Sequence, residues 1–314
     1  MHTFRVFSFF RVLAGLFILA TSGGILSAEE PTADEVINRA IQNRLAITDY
    51  EIEVAFNYGE TAEEGRTNLG HYYLHGEQLR VDLRYPYTQA RRFPGLTKDT
   101  FWERNVYTRT RSICFCNMLG SGQRAINFDS DPRRTVPDWQ EALTRYDLRT
   151  LGFHSSGASV GIPIRTIFDL AANEKKIAEE TVNEIDCLRV SFDLESGVQC
   201  DFWFAPSCSY APVQVRSYFE PLDLTENLEL KVEEWGRSGL WFPTRYTSTE
   251  SVGNKTLASE EGRLVIHSLN GPLPGDTFQL SGLNIPKGKS IQRLPSDGPA
   301  KIWDGEKIVL KRER

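Results

Sequence analysis

Two short patterns in this chain have the residue types and the spacing of working chemistry. Gly157-Ala158-Ser159-Val160-Gly161 matches G-x-S-x-G, the turn that presents a nucleophilic serine at the end of a core strand. Asp186, Asp193 or Asp201 and then His267 follow in the hydrolase order of acid and base. The motif needs a buried strand before it and a helix after it, within alternating β and α elements. Here His154-Ser155-Ser156 leads into it, Pro163 follows closely, and everything beyond residue 180 reads as strand. A Gly/Ser-rich loop fits that context better than a catalytic elbow. His71 and His75 form H-x-x-x-H, which on a helix would put two metal ligands on one face. On a strand, at about 3.3 Å per residue, the two are about 13 Å apart and cannot share an ion. The expectation is therefore no catalytic residue, no metal ligand and no cofactor.

The elements that would position any site begin with a helix feeding a strand. Thr32 and Glu35 form a T-x-x-E capping box, and Val36, Ile37, Ala40, Ile41 and Leu45 recur at helical spacing. The period then changes to two. Tyr50, Ile52, Val54, Phe56 and Tyr58 point one way, and Glu51, Glu53, Ala55 and Asn57 the other. Thr67–His75 and Glu77–Tyr85 read as the next strands, the second alternating Leu79, Val81, Leu83 and Tyr85 with Arg80, Asp82 and Arg84. Thr100–Cys116 reads as a hairpin. Pro132–Asn173 interrupts the pattern with two helical stretches. Strands resume from Lys176: a hairpin of Glu184–Leu194 and Gly197–Ala205, then Val213–Phe219, Leu228–Trp235, Leu240–Ser248 and a strand ending at Leu269. Asp304-Gly305 is a hairpin turn between Ala300–Trp303 and Lys307–Leu310. Closely spaced strands between Gly and Pro turns predict an antiparallel meander.

Composition narrows the function classes. Net charge is −6 with no basic stripe, which argues against nucleic acid as a partner. Arg5 and Arg11 precede an apolar run from Val12 to Ala20, and small residues end at Ala28. That order predicts a signal peptide over residues 1–28 and a periplasmic or otherwise exported product; the alternative is an N-terminal membrane anchor. Five cysteines is an odd number, and Cys114, Cys116, Cys187, Cys200 and Cys208 lack the spacing of a disulfide framework. They read as mostly buried small apolar residues, with a Cys187–Cys208 bridge as the minor alternative and the pairing otherwise open.

In the order of its elements the chain resembles the LolA/LolB-like periplasmic lipoprotein carriers. Gly70-His-Tyr-Tyr-Leu-His-Gly-Glu-Gln-Leu79 follows the capped helix and long strand as in that family. Phe278-Gln-Leu280 and Ile285-Pro-Lys-Gly-Lys-Ser-Ile291 are similar to its closing element, and Leu240–Arg245 fits its late strands. The resemblance implies a mainly β (α+β) fold over residues 29–314: an open antiparallel half-barrel, with the N-terminal helix and inserted helices at about 132–173 over its concave face. The family places an Arg-Pro pair between early strands, where this chain has Gly76 and Glu77. The resemblance further implies a non-enzymatic exported protein that holds a lipid or an acylated protein, with Ile52, Val54, Phe56, Leu79, Val81 and Leu83 lining the apolar face. The alternatives are an envelope sensor on the same fold, with a membrane-protein partner, and a serine hydrolase using Ser159.

Overall fold

The computed structural model describes residues 30–59, 67–85, 101–108, 111–117, 123–129, 147–154, 164–294 and 301–311. The expected signal peptide, the G-x-S-x-G loop and most of the expected 132–173 insertion lie outside them.

Helix α1 (Ala33–Leu45) opens with the capping box the sequence predicts. The Thr32 hydroxyl accepts from the Glu35 amide at 3.3 Å, and the Glu35 carboxylate accepts from the Thr32 amide at 2.9 Å. Val36, Ile37, Ala40 and Ile41 are buried as their spacing requires. The stripe ends differently from the expectation: Leu45 is exposed and Arg44 is buried in its place. The reason is rotation, because Arg44 completes the buried stripe one turn after Ala40 and Ile41 while Leu45 falls past its edge.

Two meanders follow. The first is β1 (Asp49–Gly59), β2 (Thr67–His75), β3 (Gln78–Tyr85), β4 (Phe101–Thr108), β5 (Arg111–Asn117) and β6 (Gln123–Asp129). The second is β7 (Lys176–Val182), β8 (Ile185–Asp193), β9 (Val198–Ala205), β10 (Ala211–Phe219), β11 (Leu224–Glu234), β12 (Trp241–Val252) and β13 (Lys255–Leu269). Strand β13 pairs with β1, so the meanders join into one sheet. The chain then crosses to β14 (Ser290–Leu294), which pairs with β6 in parallel, and ends in the hairpin β15 (Lys301–Trp303) and β16 (Ile308–Leu310). The order is β16-β15-β14-β6-β5-β4-β3-β2-β1-β13-β12-β11-β10-β9-β8-β7. β16 and β7 are free ends among the described residues, so the sheet is open. Every pairing is antiparallel, as predicted, except β14 on β6, whose partner arrives by a long crossover instead of a turn.

One face of this sheet carries the apolar rows. Leu230, Tyr246, Gly262 and Phe56 are successive cross-strand partners on β11, β12, β13 and β1, so a single face runs through both meanders. Over β8–β11 this face packs against α1 and a short helix α2 (Thr166–Asp169). A four-residue helix has no stability of its own. It persists because Ile167 and Phe168 insert into the sheet, with Phe168 4.9 Å from Phe202 and 5.8 Å from Phe192 between ring centroids. In β8 the inward residues are Leu188, Val190 and Phe192, whereas Cys187 faces the opposite side with Trp203 and Cys208.

The opposite face is polar over β1–β3. Over β4 and β5 it bears a smaller core, in which Val106, Ile113 and Phe115 pack with Leu283, Ile285, Ile291 and Trp303. The crossover is fixed there by two arginines. Arg80 holds Asp82 through two hydrogen bonds of 2.9 and 2.7 Å and donates to the Thr277 carbonyl at 3.0 Å. Arg104 donates to the Leu283 carbonyl at 2.6 Å.

Candidate functional site

The six residues expected to line a ligand face share one side of the sheet. Ile52, Val54, Leu79, Val81 and Leu83 are buried, and Phe56 is half-buried against them. Register explains their meeting. Ile52, Tyr72 and Val81 form one row across β1–β3, and Tyr50, Leu74 and Leu79 the next. In the row Val54–Gly70–Leu83 the central residue has no side chain, and a Cβ there would stand 2.4 Å from the Tyr72 ring. Gly70 is thus the space that lets Tyr72 lie flat along β2. Tyr72, Leu74, Phe242, Leu264 and Leu269 belong to the same cluster and were not singled out by sequence. The run His71-Tyr72-Tyr73-Leu74 shows no polar alternation that would mark which of its residues face inward.

A strap, Asp147–His154, lies against this face. Its regular structure is one 3-10 turn, Leu148–Thr150, and Leu148 and Leu151 pack on the apolar cluster. A polar latch holds it. The buried Tyr50 hydroxyl accepts from the Leu148 amide at 3.1 Å and donates to Asp147 at 3.4 Å. Asp147 is clasped by Arg149 at 2.7 and 2.9 Å, and Arg149 reaches on to the Ile47 carbonyl at 3.1 Å. Burial and the Asp147 charge push the Tyr50 hydroxyl well above its usual range, so it stays a donor. From α1, Arg44 donates to the Leu151 carbonyl at 3.0 Å. Burial lowers its pKa to about 9, and the nearby Asp147 works against that fall. One terminal nitrogen of Arg44, Nη2, is buried without a partner among the described residues. Gly76 and Glu77, the positions of the family's Arg-Pro pair, form an exposed turn.

The polar face carries a groove of about 660 Å³, bordered by Glu53, His71, Asp82, Arg84, Trp102, Arg104 and Arg263 among others. His71 and His75 lie on β2, the strand expected over Thr67–His75, and each has its own partners. His75 pairs with Asp49 and stacks near Phe278, while His71 contacts Glu51 at 3.0 Å and Tyr73 at 3.2 Å. His267 comes to lie beside His71, with ring centroids 5.7 Å apart. The sequence places these two far apart, and only the β1–β13 pairing joins them. Cys187, Cys200 and Cys208 are buried free thiols, and burial pushes both Cys187 and Cys200 up to about 11, so they act as apolar filler. Ser159 lies outside the described residues. Among the described residues no helix is long and apolar enough to cross a membrane.

No protein-family model and no curated protein matches the chain. Among solved structures it is similar to a LolA superfamily protein from Nitrosomonas europaea, at 12% identity and a TM-score of 0.39, over 79% of this chain and 98% of that one. It is similar to a domain named for outer membrane lipoprotein sorting from Vibrio parahaemolyticus, at 12% identity and a TM-score of 0.40, over 79% and 97%. It is also similar to the lipoprotein LppX of Mycobacterium tuberculosis, at 9% identity and a TM-score of 0.32, over 76% and 95%.

Proposed function

We propose that this chain is an exported, non-enzymatic protein that holds a hydrophobic ligand, a lipid or the acyl chains of a lipoprotein, against the helix face of its sheet. The observation that carries the reading is the strap. A continuous apolar face is closed over β1–β3 by a segment with little structure of its own, tied down by polar contacts of Tyr50, Arg44 and Arg149 and anchored at its far end by the buried Phe153. Such a cover can open without unfolding the sheet beneath it, because strap contacts and ladder contacts are separate. An acyl chain of sixteen carbons gains roughly 12 kcal/mol gross from burial at about 0.8 per methylene. Ordering the ligand and lifting the strap offset much of that. The apolar face offers few polar groups that would select a headgroup, so shape would govern which ligand enters.

Native mass spectrometry and solvent extraction of the protein, purified from its own host without detergent, test the reading. A discrete co-purifying lipid or acylated peptide is the expected result. A clean apo mass, together with no uptake of a fluorescent fatty acid, would overturn it and favour the envelope sensor, whose partner is then sought by pulldown.

A further inference from the structure

We propose that Glu53, His71 and His267 bind one divalent metal ion of the zinc class on the polar face of the sheet. His71 Nδ1, His267 Nε2 and Glu53 Oε1 are the protein ligands, and one coordination position stays open toward the adjoining groove.

Register brings the three together. Glu53 on β1 sits directly opposite His71 on β2. On the other side of β1, Glu53 pairs with Val265 of β13, and the register shifts between Glu51 and Ile52: Ile52 pairs with Ile266, but Glu51 pairs with Ser268. His267 is the extra residue of this bulge. Bulges re-aim a side chain beside functional sites. Here the bulged residue is a histidine, and its ring turns toward Glu53 and His71.

The donor geometry fits one ion. Glu53 Oε1 lies 3.6 Å from His71 Nδ1 and 3.6 Å from His267 Nε2. All three donor atoms lie within 4.8 Å of one another. Zinc bonds of about 2.0–2.2 Å in a tetrahedron set donor separations of about 3.3–3.6 Å, so the two Glu53 separations already match and the histidine pair closes by side-chain rotation. Two imidazoles and one carboxylate is a donor set zinc uses where it keeps an open position.

A second carboxylate prepares the first ligand. Glu51 accepts from Nε2 of His71 at 3.0 Å, which places the ring proton there and leaves the Nδ1 lone pair facing Glu53. The Tyr73 hydroxyl, 3.2 Å from Nδ1, caps that lone pair and would turn to a metal-bound water once an ion enters. Arg80 and Arg104 are engaged elsewhere, with Asp82 and the crossover carbonyls. Glu53 and His71 line the groove, so the open position faces solvent space.

The test is titration of the chelator-treated protein with ZnCl2 alone at pH 7.5, read by calorimetry and native mass spectrometry. One bound ion, with micromolar or tighter affinity on the order of that scale, is expected. His267→Ala and His71→Ala should each weaken binding by at least about tenfold, and Glu51→Gln by about tenfold through His71 alone. His75→Ala, on the same strand but away from the cluster, should leave affinity unchanged. His267→Ala is the variant to rely on if His71→Ala misfolds by circular dichroism, because His267 is exposed. No stoichiometric binding in the parent protein, or binding insensitive to His267→Ala, overturns the site.

Discussion

The guanidinium carbon of Arg44 lies 4.9 Å from the ring centroid of Phe242 and 5.5 Å from that of Phe153. One helix cation therefore joins both apolar clusters, because Phe242 belongs to the cluster over β1–β3 and Phe153 to the one over β8–β11. The same side chain donates to the strap at Leu151. It ties helix, strap and both halves of the sheet in one place.

Arg44→Ala should therefore lower stability by about 3 kcal/mol, combining a cavity with strap carbonyls left unpaired. The midpoint of urea unfolding should fall with an unchanged slope. Hydrogen exchange gives the sharper check. Amides of Leu151 and Phe153 should lose protection well before those of β8 and β9. Equal loss everywhere would mean that Arg44 supports the fold as a whole and is not a latch.

A second expectation concerns acid. Both ring nitrogens of His154 are buried without a partner among the described residues, and burial lowers its pKa to about 4. The folded state therefore binds the proton less readily than the unfolded one, whose histidine titrates near 6.5. Stability from this group is complete above about 6.5 and falls as pH drops toward about 4, by up to about 3 kcal/mol. His71, also lowered by burial, acts in the same direction. Comparing His154→Leu with the parent protein by thermal unfolding at pH 7 and pH 4 isolates the contribution. The gap between them should shift in favour of the variant at pH 4, and an unchanged gap would place the ring in water.

The third prediction lies where the meanders join. A Cβ on Gly262 would stand 1.9 Å from the Tyr246 ring, which lies across the glycine and hydrogen-bonds to Glu260. Gly262→Ala should cost about 1–3 kcal/mol through overpacking. In a Tyr246→Ala background the same change should be neutral or mildly stabilising, since alanine suits a strand better than glycine does. An identical cost in both backgrounds would show that the tyrosine is not what demands the glycine.

What could be read from sequence follows the range of the forces involved. The capping box and the alternation of β1 and β3 are local, and strand positions came out within a few residues wherever turns are short. The parallel pairing of β14 with β6 is a long-range choice with no local signature. Nothing local in the sequence marks Arg44 for burial, since charged residues are mostly exposed, and only its place between two phenylalanine rings and a carbonyl explains it. The shared apolar face was legible because inward residues of one strand imply those of the next. The His71–His267 pair was not, because it depends on β13 returning to β1 and on one extra residue in the ladder.

Phe56 tests the proposed ligand face most directly. It is half-buried, at the edge of the cluster and opposite Gly262 in the neighbouring strand. A carboxylate there can reach water in the empty protein, so Phe56→Glu should fold, with an intact far-ultraviolet spectrum. With an acyl chain against the sheet that carboxylate would have to be desolvated or would push the chain away, and either is costly. Binding of a fluorescent fatty acid should therefore weaken more than tenfold, about 1.4 kcal/mol or more. Phe56→Leu, which keeps the surface apolar, should bind within a few-fold of the parent. If the folded glutamate variant binds as well as the parent, the ligand does not lie on the β1 side of this face. The face over β8–β11, beneath α2, then becomes the place to look.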